Sequence, residues 1–384
     1  MQGTASRDIM KSEVFFASAS VSEPRKSLPG QMRFLFEAAG GSEVVGKGDL
    51  VAVKLSFSEV GNTAYIRPPF VREVVRKIKE YGGKPFLTDA NTLYAGGRSN
   101  SVDHIQTAIL NGFSYAVVEA PIIIADGLKG RSFVDVEINQ KNCKTARIGA
   151  DAYYADALVS LAHVHGHPGV GFAATFKNVG MGFGSRSGKQ VMHSQEELPE
   201  VNESKCVGCG ECVRYCPVNA ISIVNDKAKV DGKLCIRCGE CTVMCPEKAI
   251  AIRWGMKPGP MQERIAEYAL AVMKNKRGKC MFYAVLLDVT PGCLCNSFSK
   301  RPIIPDVGIL ASRDPVALEQ AAFDMVRKQK GIEASSLPGA YGEGEDKFKA
   351  VYPEIDSEVV IRYAEKIGLG SRQYVVREAG EDSC

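Results

Sequence analysis

The chain has 384 residues, enough for roughly two or three domains, and 45 % apolar with 24 % charged residues is an ordinary globular balance. Its formal net charge of +4 arises from interspersed Lys/Arg and Asp/Glu, without the basic stripe that marks a nucleic-acid partner. No apolar run reaches the ~18 residues of a membrane span, and the polar first nine residues lack the apolar core of a signal peptide, so Met10 reads as the natural start after a short extension.

From Val14 to about Ala162 apolar strands alternate with amphipathic helices. Residues 48–55 read as a strand. Phe70, Val71, Val74, Val75, Ile78 and Tyr81 repeat at helical spacing, and Gly82-Gly83 end that helix. Lys84–Asp89 is the next strand, and His104–Asn111 a helix stopped by Gly112. Tyr115–Glu119 and Pro121–Ala125 read as short strands, Ala157–Val164 as a buried one. Residues 166–188 are glycine-rich and predict a long functional loop with one helix around Ala173–Val179. His193–Ser204, with Pro199, reads as a linker.

After Trp254 the same alternation returns. Ile265, Tyr268, Ala269, Val272 and Met273 form a helical face, and Cys280–Val289 and Asp306–Ala311 read as strands. A helix runs from Pro315 to about Lys330, a last one over Glu358–Ile367, and a strand follows at Tyr374–Arg377. Such alternation predicts an α/β fold with a mostly parallel sheet and flanking helices. The expected organisation is one α/β domain over 12–199 and 254–377, interrupted by an insert over 200–253, with flexible tails at 1–11 and 378–384.

The chain has 13 Cys, and eight of them fall in that insert. Cys206-Val-Gly-Cys-Gly-Glu-Cys-Val-Arg-Tyr-Cys-Pro217 is C-x2-C-x2-C-x3-C-P, and Cys235-Ile-Arg-Cys-Gly-Glu-Cys-Thr-Val-Met-Cys-Pro246 repeats it. Three thiolates at x2 intervals wrap three corners of an iron–sulfur cubane, and the fourth, before Pro, ligates the other cluster. Cys206, Cys209, Cys212 and Cys245 are therefore assigned to one [4Fe–4S] cluster, and Cys235, Cys238, Cys241 and Cys216 to a second. Two C-x2-C pairs alone would also fit zinc; the Cys-Pro at x3, present twice, favours iron–sulfur. The block resembles the bacterial two-cluster ferredoxins over about 50 residues. That resemblance implies a small ferredoxin-like α+β domain and one-electron transfer at low potential with a soluble electron donor or acceptor protein. An oxygen-sensitive cofactor beside free thiols points to a reducing cytoplasm and anaerobic metabolism.

A second constellation lies outside the insert. His163 and His165 alternate by two at a strand end, so both face one side. Cys293 and Cys295 have the same spacing just past the Cys280–Val289 strand. Ligand sites in open α/β sheets gather at the carboxyl ends of strands. These four are candidates for a third metal or cluster site, of zinc or iron type. The alternatives are histidines that contact a small-molecule substrate, with the Cys pair as a redox dithiol, or a purely structural role. Polar residues at other strand ends, among them Lys54, Asp89, Arg98, Lys177 and Asn178, are expected to line a pocket. Asp89 and Lys177 are candidates for substrate binding or proton delivery. Gly169-Val-Gly171-Phe-Ala-Ala174 lacks the strand and acidic residue of a dinucleotide site, and Gly188-Lys189 lacks the rest of a phosphate loop. Cys143, Cys280 and Cys384 read as ordinary thiols.

The whole chain resembles domain-of-unknown-function family 362, in the branch with an inserted ferredoxin module. The resemblance is carried by Phe86-Leu-Thr-Asp-Ala-Asn-Thr-Leu-Tyr, Ala125-Asp-Gly-Leu, His163-Val-His-Gly-His-Pro, Phe176-Lys-Asn-Val-Gly-Met-Gly, Cys293-Leu-Cys and Pro305-Asp-Val-Gly-Ile-Leu-Ala-Ser-Arg-Asp-Pro-Val-Ala. It covers nearly all of 12–370 and implies an iron–sulfur protein with an α/β domain. Three functions stay open: a ferredoxin-dependent oxidoreductase, an electron carrier or adaptor docking a partner enzyme, and a maturation factor handling a metal or cluster.

Overall fold

The computed structural model describes residues 11–21, 27–194, 198–251 and 257–379. An eight-stranded sheet runs through it in the order Tyr374–Glu378, Ser12–Ser18, Gly308–Ser312, Cys280–Leu286, Ala157–His163, Leu50–Lys54, Lys84–Asp89 and Ile122–Ile124. Five of its seven pairings are parallel. Gly308–Ser312 runs antiparallel to both its neighbours. Ala157–His163 pairs directly with Cys280–Leu286, so strands from both sides of the cysteine-rich segment share one sheet.

Alternation along Ala157–His163 splits the core in two. Leu158 and Ala162 pack on one face with the helices Pro258–Met273 and Pro315–Lys328. Val159 and Leu161 pack on the other, with Leu28–Ala38 and Pro68–Glu80. A strand buried on both faces has no polar side, which is why it reads as an unbroken apolar run.

The glycine-rich stretch is not a long loop. His165–His167 and Gly171–Ala173 form a short hairpin, a helix covers 175–183 with a π-helical middle at Lys177–Met181, and Arg186–Ser194 is a second helix. The glycines serve close approach: a Cβ on Gly180 would lie 2.1 Å from the Ile265 carbonyl oxygen. His193 and Ser194 therefore end a helix rather than begin a linker. Tyr115–Val118 is a helical turn and not a strand, since the Val117 and Val118 amides both donate to the Ser114 carbonyl. Among the elements not anticipated are the helix Leu28–Ala38 and the hairpin of Phe133–Glu137 with Thr145–Gly149.

Within the cysteine-rich segment Glu200–Val201 pairs with Ile250–Ala251 and Ile221–Val224 with Lys227–Val230, both antiparallel. Short helices at Glu211–Arg214 and Glu240–Met244 follow the two C-x2-C pairs. Its own core is Cys206, Cys212, Ile221, Ala228, Cys241, Ala249 and Ile250. A core of so few apolar side chains is small for a unit of this size. The expected end of the insert at Arg253, and Cys384, lie outside the described residues. So do most of both expected tails, although Glu378 pairs with Phe16 inside the sheet. Among the described residues no helix is long and apolar enough to cross a membrane.

Leu158 is fully buried in the central strand. Leu158→Ala is expected to cost about 2–5 kcal/mol through lost transfer energy and the cavity left behind. Urea unfolding measures this, and an unchanged midpoint would contradict the assignment of this strand to the centre of the core.

Candidate active-site cleft and cysteine pockets

Parallel strands end at a common edge, and here those ends carry charge. Lys54, Asp89 and His163 are the last residues of their strands and line one cleft with about 930 Å³ of empty space. Lys54 Nζ lies 3.0 Å from Asp89 and donates to Asn178 Oδ1 at 3.0 Å. Arg98 lies 3.5 Å from Asp89 and 3.0 Å from Glu59, and donates to the Tyr94 hydroxyl at 2.7 Å. All of these charges are buried, so each needs a partner. Burial pushes the Asp89 carboxyl up, but the cations around it, Lys54 foremost, outweigh burial and hold it below its usual range. Asp89 is thus an ionised anchor. Burial pushes His104 down to about 3, so this histidine stays neutral beside Asp89.

Three histidines that also line the cleft have their tautomers set by the backbone. His163 Nε2 lies 2.7 Å from the Leu287 carbonyl, which can only accept, so Nε2 carries the proton and Nδ1 is a buried, unpartnered lone pair. His165 Nδ1 faces the Gly166 carbonyl at 2.8 Å, leaving Nε2 as an acceptor. His167 Nδ1 instead accepts from the Gly169 amide at 3.0 Å. Burial lowers the pKa of all three, His163 to about 4, so the group is uncharged at neutral pH.

Lys177, on the π-helical turn, reaches between these histidines and the Cys293 loop. Its Nζ is 3.3 Å from His165 Nε2 and 3.3 Å from Cys293 Sγ. Burial, then Arg98 and Lys54, push its pKa down to about 7. The sulfurs of Cys293 and Cys295 are paired with each other. His163, His165, Cys293 and Cys295 therefore do meet at one cleft. Among the described residues, however, no three His, Cys, Asp or Glu side chains converge on a point that one metal ion could occupy.

The eight repeat cysteines gather as two sets. Cys206, Cys209, Cys212 and Cys245 line one pocket with about 310 Å³ of empty space, and Cys216, Cys235, Cys238 and Cys241 line another with about 330 Å³. Backbone amides aim at three of the sulfurs: Ala228 at Cys206 (3.4 Å), Ala220 at Cys216 (3.2 Å) and Ala249 at Cys245 (3.2 Å). The Ala228 and Gly208 amides lower the Cys206 pKa, whereas burial raises Cys212, Cys238 and Cys241. Cys143 and Cys280 are free thiols that burial pushes up to about 12, in keeping with an inert role.

The two cysteine sets sit in different surroundings. Cys209 is exposed and Val207 beside it is 63 % exposed. Glu240, in the second Cys-Gly-Glu-Cys, is buried against Arg186 at 2.8 Å, with Arg131 at 3.5 Å. Its counterpart Glu211 faces solvent. Gly239 lines the second pocket, and a Cβ there would lie 2.9 Å from Leu93 Cδ1, while Leu93 itself lines the cleft.

Residues 51–324 match the model of the family described as Domain of unknown function (DUF362). The chain belongs to the DUF362 family. As a DUF362 protein it is similar to the solved lactate racemase apoprotein from Thermoanaerobacterium thermosaccharolyticum, with 12 % identity and a TM-score of 0.33 over 67 % of this chain and 49 % of that one. It is also similar to a solved protein from Thermotoga maritima, with 10 % identity and a TM-score of 0.38 over 89 % of this chain and 59 % of that one. The DUF362 chain thus matches only about half the length of each solved protein. No curated protein matches it.

Several residues of this DUF362 site gave no sequence signal of their role. Lys189, which donates to the Gly182 and Gly184 carbonyls at 3.3 and 2.6 Å, appears in the sequence only as part of a failed phosphate loop. Glu59 and Leu93 lie in ordinary contexts, and Glu240 cannot be told from Glu211 by its neighbours. Asp306 lies away from the cleft and accepts from the Asp288 amide, while Asp314 caps the helix Pro315–Lys328.

Asp89→Asn leaves Lys54 and Arg98 facing a neutral amide and is expected to cost about 3–5 kcal/mol, read from the urea midpoint at pH 7. Because the folded carboxyl lies below its unfolded value of ~3.9, its stabilisation is complete above that value and fades as pH falls through the lower folded one. The Asn variant should lose this part of the acid sensitivity; equal acid profiles for the two proteins would refute the pairing.

Proposed function

We propose that this DUF362 protein is an iron–sulfur electron-transfer protein that serves a small molecule bound in the cleft. Cys206, Cys209, Cys212 and Cys245 would hold one [4Fe–4S] cluster, and Cys235, Cys238, Cys241 and Cys216 the other. When bound, the clusters supply one-electron transfer at low potential. The fit rests on four thiols round each pocket, amides aimed at their sulfurs, and a core small for the unit's size.

One observation carries the link to the cleft. The backbone of Gly239 borders the second cysteine pocket and passes close to Arg186 and to Leu93, which borders the cleft. The Glu240–Arg186 pair holds that contact in place. The exposed Cys209 side is left to meet a soluble electron donor or acceptor protein. Lys177, poised near neutrality, can give up and retake a proton beside a bound molecule. Asp89, held ionised, orients Lys54 and Arg98 and is unsuited to proton delivery. A carrier that only docks a partner enzyme has no need of an enclosed cleft lined with buried charge.

Protein purified without oxygen should contain about eight iron and eight sulfide per chain. Cys209→Ser and Cys238→Ser should each lower both counts towards about four. A colourless preparation, or one holding zinc in place of iron, would remove the basis of this reading.

A further inference from the structure

We propose that Cys293 and Cys295 form a thiol–disulfide exchange centre in the cleft wall, acting on a small thiol that carries a negative charge, or on its disulfide. The proposal does not rest on the iron–sulfur reading. The pair closes a loop with one residue between its members, and so short a loop removes little entropy from the unfolded chain. A structural staple is a poor account of it. The pair lines the cleft instead, in a chain whose other described cysteines are free.

The two sulfurs are inequivalent. Cys293 is 4 % exposed, whereas Cys295 is half-buried at the cleft. Two donors converge on Cys293 Sγ, the Cys295 amide at 3.2 Å and Lys177 Nζ at 3.3 Å. Donors and a cation stabilise a thiolate, and the stabilised thiolate is the better leaving group. The incoming thiolate therefore attacks Cys295 Sγ. The Cys293–Cys295 bond breaks, a bond forms between the incoming sulfur and Cys295, and the electron pair leaves on Cys293 Sγ, where Lys177 can supply a proton. A second incoming thiolate attacks the sulfur of the first and releases Cys295 as thiolate. In sum two thiols are oxidised to one small disulfide and the pair is reduced to a dithiol; the reverse sequence reduces the small disulfide.

The charge of the substrate follows from the walls. Lys54, Arg98, Lys177 and Lys189 line the cleft against Asp89 as the sole lining carboxylate among the described residues. Lys54 and Arg98 share Asp89, while Lys177 contacts only His165 and Cys293 in the bonds formed here. An incoming anion meets an unshared ammonium beside the leaving sulfur, Cys293.

The full-length protein would be treated with 3-mercaptopropionate, 2-mercaptoethanol or cysteamine. Differential alkylation and mass spectrometry of the peptide holding Cys293 and Cys295 then give rates per thiolate. The expected order is the anionic thiol fastest and the cationic one slowest, a comparison that needs no variant. Lys177→Met should slow the anionic thiol, because the Cys293 leaving group weakens, and Lys177→Arg should keep the order. In Cys293→Ser, the small disulfides of these thiols should leave a trapped adduct on Cys295. Equal rates for the three thiols, an unaffected Lys177→Met, or wild-type adducts on Cys293 in place of Cys295 would each overturn the proposal. Iron and sulfide counts are independent of all these outcomes, so either reading can fail alone.

Discussion

The ion pair between Lys54 and Asp89, 3.0 Å apart and shut off from bulk water, is the contact on which the cleft depends. Two charges at the ends of adjacent parallel strands are tolerable only because each neutralises the other and Arg98 and Asn178 take up the remaining capacity. The parallel register puts Lys54 beside Thr88 and Ser160, so Asp89 lies one residue and His163 three residues beyond its level. Asn178 then ties Lys54 to Ser160 and to the Leu161 carbonyl, which fixes the π-helical turn and with it Lys177. Glu319, on another helix, accepts from the Thr175 and Phe176 amides and fixes the start of the same helix. The position of the one weakly held amine is thus set by a chain of well-held groups.

A second constraint acts on the cysteine-rich segment. Its two halves are near copies in sequence, yet a copy pressed against another body cannot share the surroundings of one facing water. Glu240 finds Arg186 and Arg131, and Glu211 finds solvent and its neighbour Arg214. The duplication supplies symmetry and docking removes it. In the electron-transfer role proposed above, this would let one face meet a partner while the other meets the cleft.

Much of this was legible in the sequence, for reasons that can be named. Strands buried on both sides leave unbroken apolar runs, so the central strands are visible without an alignment. Parallel strands end on one edge, so polar residues just past those runs, Lys54, Asp89, His163 and Cys293 among them, could be expected to share a cleft, and they do. Glycine misled the reading of 166–188, because it marks close packing as often as a break; Gly166 and Gly180 press on the Pro291 and Ile265 carbonyls. Tyr115–Val118 misled it through β-branched composition, where capping bonds to the Ser114 carbonyl decided the outcome. The burial of Glu240 and the pairing of Cys293 with Cys295 depend on what lies opposite in space, and no local pattern encodes that.

The sheet has a consequence for how the chain is made. Ala157–His163 finds its partner only when Cys280–Leu286 has been synthesised, and Ser12–Ser18 finds its two neighbours only with Gly308–Ser312 and Tyr374–Glu378. At roughly 5–20 residues per second, the emerging half-sheet waits many seconds with an apolar edge unpaired. During that wait the cysteine-rich segment leaves the ribosome before the sheet closes around its two ends. Molecular chaperones would meet the nascent chain in that interval, before the native protein exists.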